Sequence, residues 1–179
     1  MILRSAGITD VSIRRVSGDL TDHYDPSKKV VNLSDSVYGS TSVSAVGVAA
    51  HECGHVIQHA RGHVPITIRT ALVPIVNFAS RLSMPLILIG LILGYVGLAK
   101  IGVVLFCGVL IFQLVTLPVE FDASARAMRV LDSLGILYGE EIKGARKVLT
   151  AAALTYVAAV VSTALQVFRL VLLINNRRD

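Results

Sequence analysis

A chain of 179 residues, 54% of them hydrophobic and only 16% charged, falls short of the roughly one quarter of charged residues usual in a water-soluble domain. The net charge of +5 comes without tryptophan or an aromatic-interleaved basic patch, so nucleic acid is not an expected partner. The charges crowd into residues 1–81 and 120–147, and the apolar runs left between them point to a membrane protein.

The stretch "MILRSAGITDVSIRR" is short of apolar residues and has no cleavage-like site, so it does not read as a signal peptide. "GITDVSIRRV" and "KKVVNLS" alternate in polarity and are rich in β-branched residues, while "SGDLTDHYDPS" between them is built of turn formers. A β-hairpin, or two short strands with a loop, is expected. "DSVYGSTSVSAVGVAAHECGHVIQHA" then changes to a helical period, with Ser and Thr near its start able to cap free amides. Gly62 and Pro65 are expected to end that helix about one turn after His59.

The helix contains H-E-x-x-H. His51 and His55 are one turn apart and leave the helix on one face, so both imidazoles can reach a single Zn²⁺. Glu52 beside them is suited to act as general base on a zinc-activated water rather than as a ligand. Small residues at Ala49, Ala50 and Gly54 permit close packing of the helix. His59 and His63 continue the four-residue spacing, but His59 lies about 12 Å along the axis from His51 and His63 follows Gly62, outside the predicted helix. They are expected to face solvent or headgroups, not the metal.

Three runs can span a bilayer: 82–99 and 101–119, divided by Lys100 alone, and 148–168 continuing past Arg169 to Ile174. A catalytic zinc takes three protein ligands and keeps a fourth position open for water. His23, Glu120 and Asp122 are candidates for the third. Two crossings return the chain to the side it left, so Glu120 emerges on the side of His51 and His55, where a helix beginning after Pro118 can aim it at the metal. That favours Glu120 over the lesser alternative, an ordinary interfacial carboxylate at the end of a span. Arg69, Arg81, Arg126, Arg129, Lys143, Arg146 and Lys147 flank the spans on the catalytic side, against Lys100, Arg177 and Arg178 opposite. The positive-inside rule then puts the active site in the cytoplasm of a multi-pass plasma-membrane protein. Cys53 and Cys107 are too far apart to form a disulfide framework, and Cys53 points away from the histidine face.

"LTDHYDPSKKVVNLS", "SVSAVGVAAHECGHVIQHA", "LVPIVNFASRLS" and "FQLVTLPVEFDASARAM" followed by "AALTYVAA" resemble the YugP-type family of neutral zinc metallopeptidases of bacterial membranes. The resemblance covers nearly the whole chain. It implies ligands His51, His55 and Glu120 with Glu52 as base, in the order used by gluzincins, and a layout similar to that of HtpX-like peptidases. HtpX-like enzymes carry an aspartate four residues after the ligand glutamate, as partner to a ligand histidine; here that position is Ser124, and Asp122, another acid or a backbone carbonyl is expected to serve instead. Family members also usually carry an apolar anchor ahead of "MILRSAGI".

The expectation is therefore a mainly α membrane protein with a small β-hairpin element: a gluzincin-like zinc peptidase with about three transmembrane helices. Its single domain, 1–179, divides into a polar module with the zinc helix (1–81), a transmembrane hairpin (82–119), a third-ligand helix and connector (120–147) and a third transmembrane helix (148–174). One zinc per chain would serve hydrolysis of a peptide or membrane-protein substrate at the bilayer surface. The strand edge around "DLTDHYDP" would hold the substrate, and His23 or Tyr24 would stabilise the oxyanion. The alternatives are a non-catalytic zinc-binding membrane scaffold or assembly factor, which would want four protein ligands, and an intramembrane protease of the site-2 type, which would bury H-E-x-x-H within an apolar span.

Overall fold

The computed structural model describes residues 1–176. Arg177 and Arg178, invoked above for sidedness, lie outside the described residues. In chain order the elements are α1 (Ile2–Ser5), β1 (Ser12–Arg15), β2 (His23–Asp25), β3 (Val30–Leu33), α2 (Val43–Ala60), α3 (Val64–Ile92), α4 (Val96–Ser133) and α5 (Gly139–Asn175). The protein is mainly helical, and α3, α4 and α5 are each long and apolar enough to cross a bilayer. Many of their apolar side chains are exposed, Phe78, Val104, Leu165 and Phe168 among them, which suits helices solvated by lipid rather than water.

The two expected strands form, but they pair with each other in parallel, Ser12 opposite Val30. The loop expected between them supplies a third strand: β2 runs antiparallel to β3, Tyr24 opposite Val31, giving the order β1-β3-β2. The turn formers therefore do two jobs. Asp25 closes the β2–β3 turn by accepting the backbone N–H groups of Ser27 and Lys28, while the preceding residues form the sheet edge. Ser42 caps α2, its hydroxyl accepting the Ala45 N–H at 3.2 Å. Helix α2 ends at Ala60, Gly62 takes the left-handed conformation, and Pro65 opens α3, where a missing N–H is tolerated.

Two boundaries differ from expectation. The turn between the first two apolar helices lies at residues 93–95, with Gly94 at φ +75°, and Lys100 sits inside α4. A charge does not interrupt a helix, whereas a glycine in the left-handed region readily does. Likewise no new helix begins after Pro118. Helix α4 continues through it, because the proline removes one backbone hydrogen bond and leaves the rest of the ladder in place.

The chain folds as two compact units, one of residues 1–67 with 118–154 and one of 68–117 with 155–179. In the second, Ile87, Ala99, Val103 and Ile174 form the buried core, and glycines bring α3 and α4 together: a Cβ on Gly90 would lie 2.5 Å from the Ala99 nitrogen. In the first unit, α2 is buried on two sides. Cys53 and Val56 pack with Leu3, Val31 and Leu33, and Ala50 packs with Ala127, Leu131, Ala145 and Leu149.

Candidate metal centre

The site is built where α2 crosses α4, within the first unit. Gly54 sets the crossing distance, for a Cβ there would lie 2.6 Å from the Ala123 carbonyl oxygen. Backbones this close let the side chains on either side of the contact meet. His51 Nε2 lies 3.2 Å from Glu120 Oε2, and His55 Nε2 lies 3.6 Å from the same oxygen. One ligand atom from each residue falls within 4.8 Å of the other two, a spacing able to hold one ion. Gly54→Ala should therefore force the two helices apart. Its measurable result is a loss of metal per chain, with the helical content seen by circular dichroism largely kept, because the clash is with backbone rather than with a mobile side chain.

The far nitrogens of both imidazoles are tied down. Gln58 Nε2 donates to the Val119 carbonyl at 2.8 Å and to Asp122 Oδ2 at 2.9 Å. Both acceptors lack hydrogens, so the amide oxygen is the atom facing His55, and His55 Nδ1–H donates to it at 2.9 Å. In the neutral ring this leaves the lone pair on Nε2, the atom a metal would use, whereas a protonated ring turns an Nε2–H toward Glu120. His51 Nδ1 meets the Ser124 hydroxyl at 3.1 Å, a group that can accept Nδ1–H when Nε2 is given to a metal and donate to Nδ1 when Nε2–H bonds Glu120 at 3.2 Å. Burial opposes charge on His55, but its bond to Glu120 and the nearby Glu52 carboxylate hold its pKa above the ordinary value.

Glu52 is buried, 7% exposed, and its carboxylate has no hydrogen bond among the described residues. Burial raises its pKa. The His55 and His51 rings act in the opposite direction, while Glu120 and Asp22 add to the rise. Asp22 is held just ahead of β2 by the Ser34 N–H and hydroxyl, each at 2.8 Å. Cys53, one residue on, faces the core of the first unit, where burial pushes its thiol up to about 11. Both cysteines are free.

His59 and His63 take no part in the cluster. His59 packs edge-on against Tyr24, ring centres 5.5 Å apart, and His63 Nε2 lies 3.8 Å from Asp122. Neither simply faces solvent. His23, weighed as a third ligand, turns its ring elsewhere: Nδ1 meets the Thr21 carbonyl at 2.8 Å and Nε2 meets Asn32 Nδ2 at 3.0 Å. In that arrangement His23 has no N–H left to offer an oxyanion. Asp122, weighed both as ligand and as direct partner of a histidine, stands one step back and acts on His55 through Gln58, while accepting Arg126 Nε at 2.6 Å.

Gln58 and Ser124 are the two site residues that sequence reasoning missed in these roles. The signal for Gln58 was its place on the histidine face, three residues after His55; for Ser124 it was its place one turn beyond Glu120.

No solved structure matches the chain. It is 46% identical over 178 residues, 99% of this chain and 79% of the relative, to a Bacillus subtilis (strain 168) protein described as "Putative membrane protease YugP". Residues 1–175 match the family described as "Putative neutral zinc metallopeptidase", and with three membrane-length helices besides, the chain is a membrane protein that belongs to this zinc metallopeptidase family.

Proposed function

We propose that the protein is a membrane-bound zinc metalloendopeptidase of gluzincin type, with His51, His55 and Glu120 as ligands and Glu52 as general base. The observation that carries this reading is the convergence of His51 Nε2, His55 Nε2 and a Glu120 oxygen on one point, with Glu52 on the same turn of α2. The donor set fits zinc: two imidazoles with their far nitrogens bonded to oxygen, and one buried carboxylate. Three ligands leave a position open, which supports catalysis over a closed structural site. When bound, zinc supplies a Lewis acid that polarises the scissile carbonyl and acidifies a water. Glu52 would take the proton of a water whose oxygen adds to the scissile carbonyl carbon, and would pass it to the amine as the C–N bond breaks. Gln58 and Ser124 hold the imidazoles in the ligating tautomer throughout. The β2 edge, fixed by Asp22 and packed on α2 through Tyr24 and His59, receives the substrate as an added extended strand. The name of the Bacillus relative supports a protease acting at a membrane.

The test pairs metal analysis of the purified full chain with cleavage of an unstructured, membrane-tethered peptide. About one zinc per chain and zinc-dependent cleavage are expected; zinc without cleavage would favour the scaffold reading.

The bilayer side is part of the same proposal. The positive-inside rule assigns the metal centre to the cytoplasmic face, and two crossings between His55 and Glu120 place Lys100 opposite. A cysteine at Lys100 in a Cys53→Ser, Cys107→Ser background should be labelled by an impermeant maleimide from outside intact cells, and one at Ser36 only after lysis. Labelling of both from the same side would remove the topological reason for choosing Glu120.

A further inference from the structure

The first unit holds a cleft of about 620 Å³, away from the metal centre, whose chemistry the peptidase reading does not use. It is walled by the end of α1 at Ser5, by Ile57 and the cap residue Arg61 of α2, and by Arg126, Arg129 and Ser133 of α4. The last three lie three and seven residues apart, so they share one helical face. Three guanidinium groups thus line one cavity, and no carboxylate lines it with them.

Two of the three have no counter-charge. Arg61 and Arg129 are exposed, and their guanidinium groups make no hydrogen bond or ion pair among the described residues. Arg126 gives its Nε to Asp122 at 2.6 Å, which leaves its two Nη groups uncommitted. Like charges gathered at one cavity repel, and their repulsion is relieved by an anion able to accept from several planar forks at once. A carboxylate offers two oxygens. A tetrahedral phosphoryl group offers three or four, in directions that separate arginines can approach. The hydroxyl of Ser133, held only by a long 3.4 Å bond to the Val130 carbonyl, can turn to join them, whereas that of Ser5 is engaged by the Ile2 carbonyl at 2.7 Å.

We propose that this cleft is a binding site for a phosphoryl oxyanion, supplied either as free phosphate or as the headgroup of an anionic phospholipid. It stands apart from the zinc reading, since none of the residues lining the cleft is a proposed ligand or base.

The test uses the full chain purified in an uncharged detergent, with binding followed by calorimetry. One arm titrates inorganic phosphate; the other titrates the short-chain lipid dihexanoylphosphatidylglycerol, with dihexanoylphosphatidylcholine as the zwitterionic control. The altered protein is Arg61→Gln with Arg129→Gln; Arg126 is left intact because it also holds Asp122. Saturable binding in either anionic arm is expected, weakened at least about tenfold in the double variant at an unchanged melting temperature, since each lost charge-assisted contact costs on the order of a factor of ten. Tighter binding of the glycerol lipid than of phosphate identifies a headgroup site, and the reverse identifies the free ion. Absence of binding in both anionic arms overturns the proposal, as does undiminished binding by a folded double variant. If the double variant fails to fold, Arg61→Lys and Arg129→Gln singly decide: the lysine variant should keep most of the affinity and the glutamine variant lose several-fold, and equal affinities in both overturn the proposal.

Discussion

Glu52→Gln should yield a protein that holds its zinc and does not cut. The amide matches the carboxylate in size, and burial favours a neutral group at a position only 7% exposed, so the fold has no reason to change. Glu52 is not one of the three residues whose ligand atoms converge, and no hydrogen bond to its carboxylate is lost. Only the basic oxygen goes. Loss of a positioned general base lowers turnover by a factor of about 10² to 10⁴. Zinc measured on the same preparation should stay near one per chain. Cleavage at the wild-type rate would remove Glu52 from the mechanism whatever the metal content.

Glu120→Ala should separate the proposed ligand from the residues that merely support it. Glu120 is buried, 1% exposed, and faces both imidazoles, so its removal takes away a ligand and leaves two histidines to hold an ion that needs three protein partners. Zinc affinity should fall well beyond the roughly 10-fold to 100-fold typical of losing a group that only orients a ligand. Ser124→Ala and Asp122→Ala should fall inside that smaller range. The first frees His51 Nδ1, and the second loosens Gln58 and through it His55. His59→Ala should retain zinc, since that ring leans on Tyr24. Competition with a chromogenic chelator measures all four. Zinc loss by Asp122→Ala as severe as by Glu120→Ala would reverse the two roles.

The helix of the metal motif was legible because every signal agreed: a capping serine, a four-residue histidine spacing, small residues where the helix must be approached, and a glycine stop. The presence of three membrane-length apolar segments was legible from their freedom from charge, but the bounds of the helices that carry them were not. Reading Lys100 as the divider weighted charge, whereas the chain turns at Gly94, where backbone freedom decides. Strand β2 was hidden because Asp22, Asp25 and Pro26 are turn formers by composition, and what makes His23–Asp25 a strand is long-range pairing with Val30–Asn32. The juxtaposition of Glu120 with the histidines was inferred from the parity of crossings. The contact itself rests on Gly54 against Ala123, a fit between two surfaces that neither segment reveals alone. Gln58 escaped notice because glutamine carries no signature of its own; only the acceptors around it show that every polar atom of its side chain is committed.

The groups that steady the two imidazoles, an amide and a hydroxyl, are both uncharged. Asp122, the one acid behind them, is offset by Arg126. A dication held here would therefore find a single anion in direct contact, Glu120, and would be only half neutralised. Where a carboxylate braces a ligand histidine, it shares negative charge with the ring and makes it a stronger donor. Without that contribution the centre stays electron-poor, pulling harder on a substrate carbonyl and on any anionic group that reaches it. Hydroxamates and phosphonates, which bring their own negative charge to such a position, should for that reason outcompete neutral peptide ligands by a wide margin at this centre.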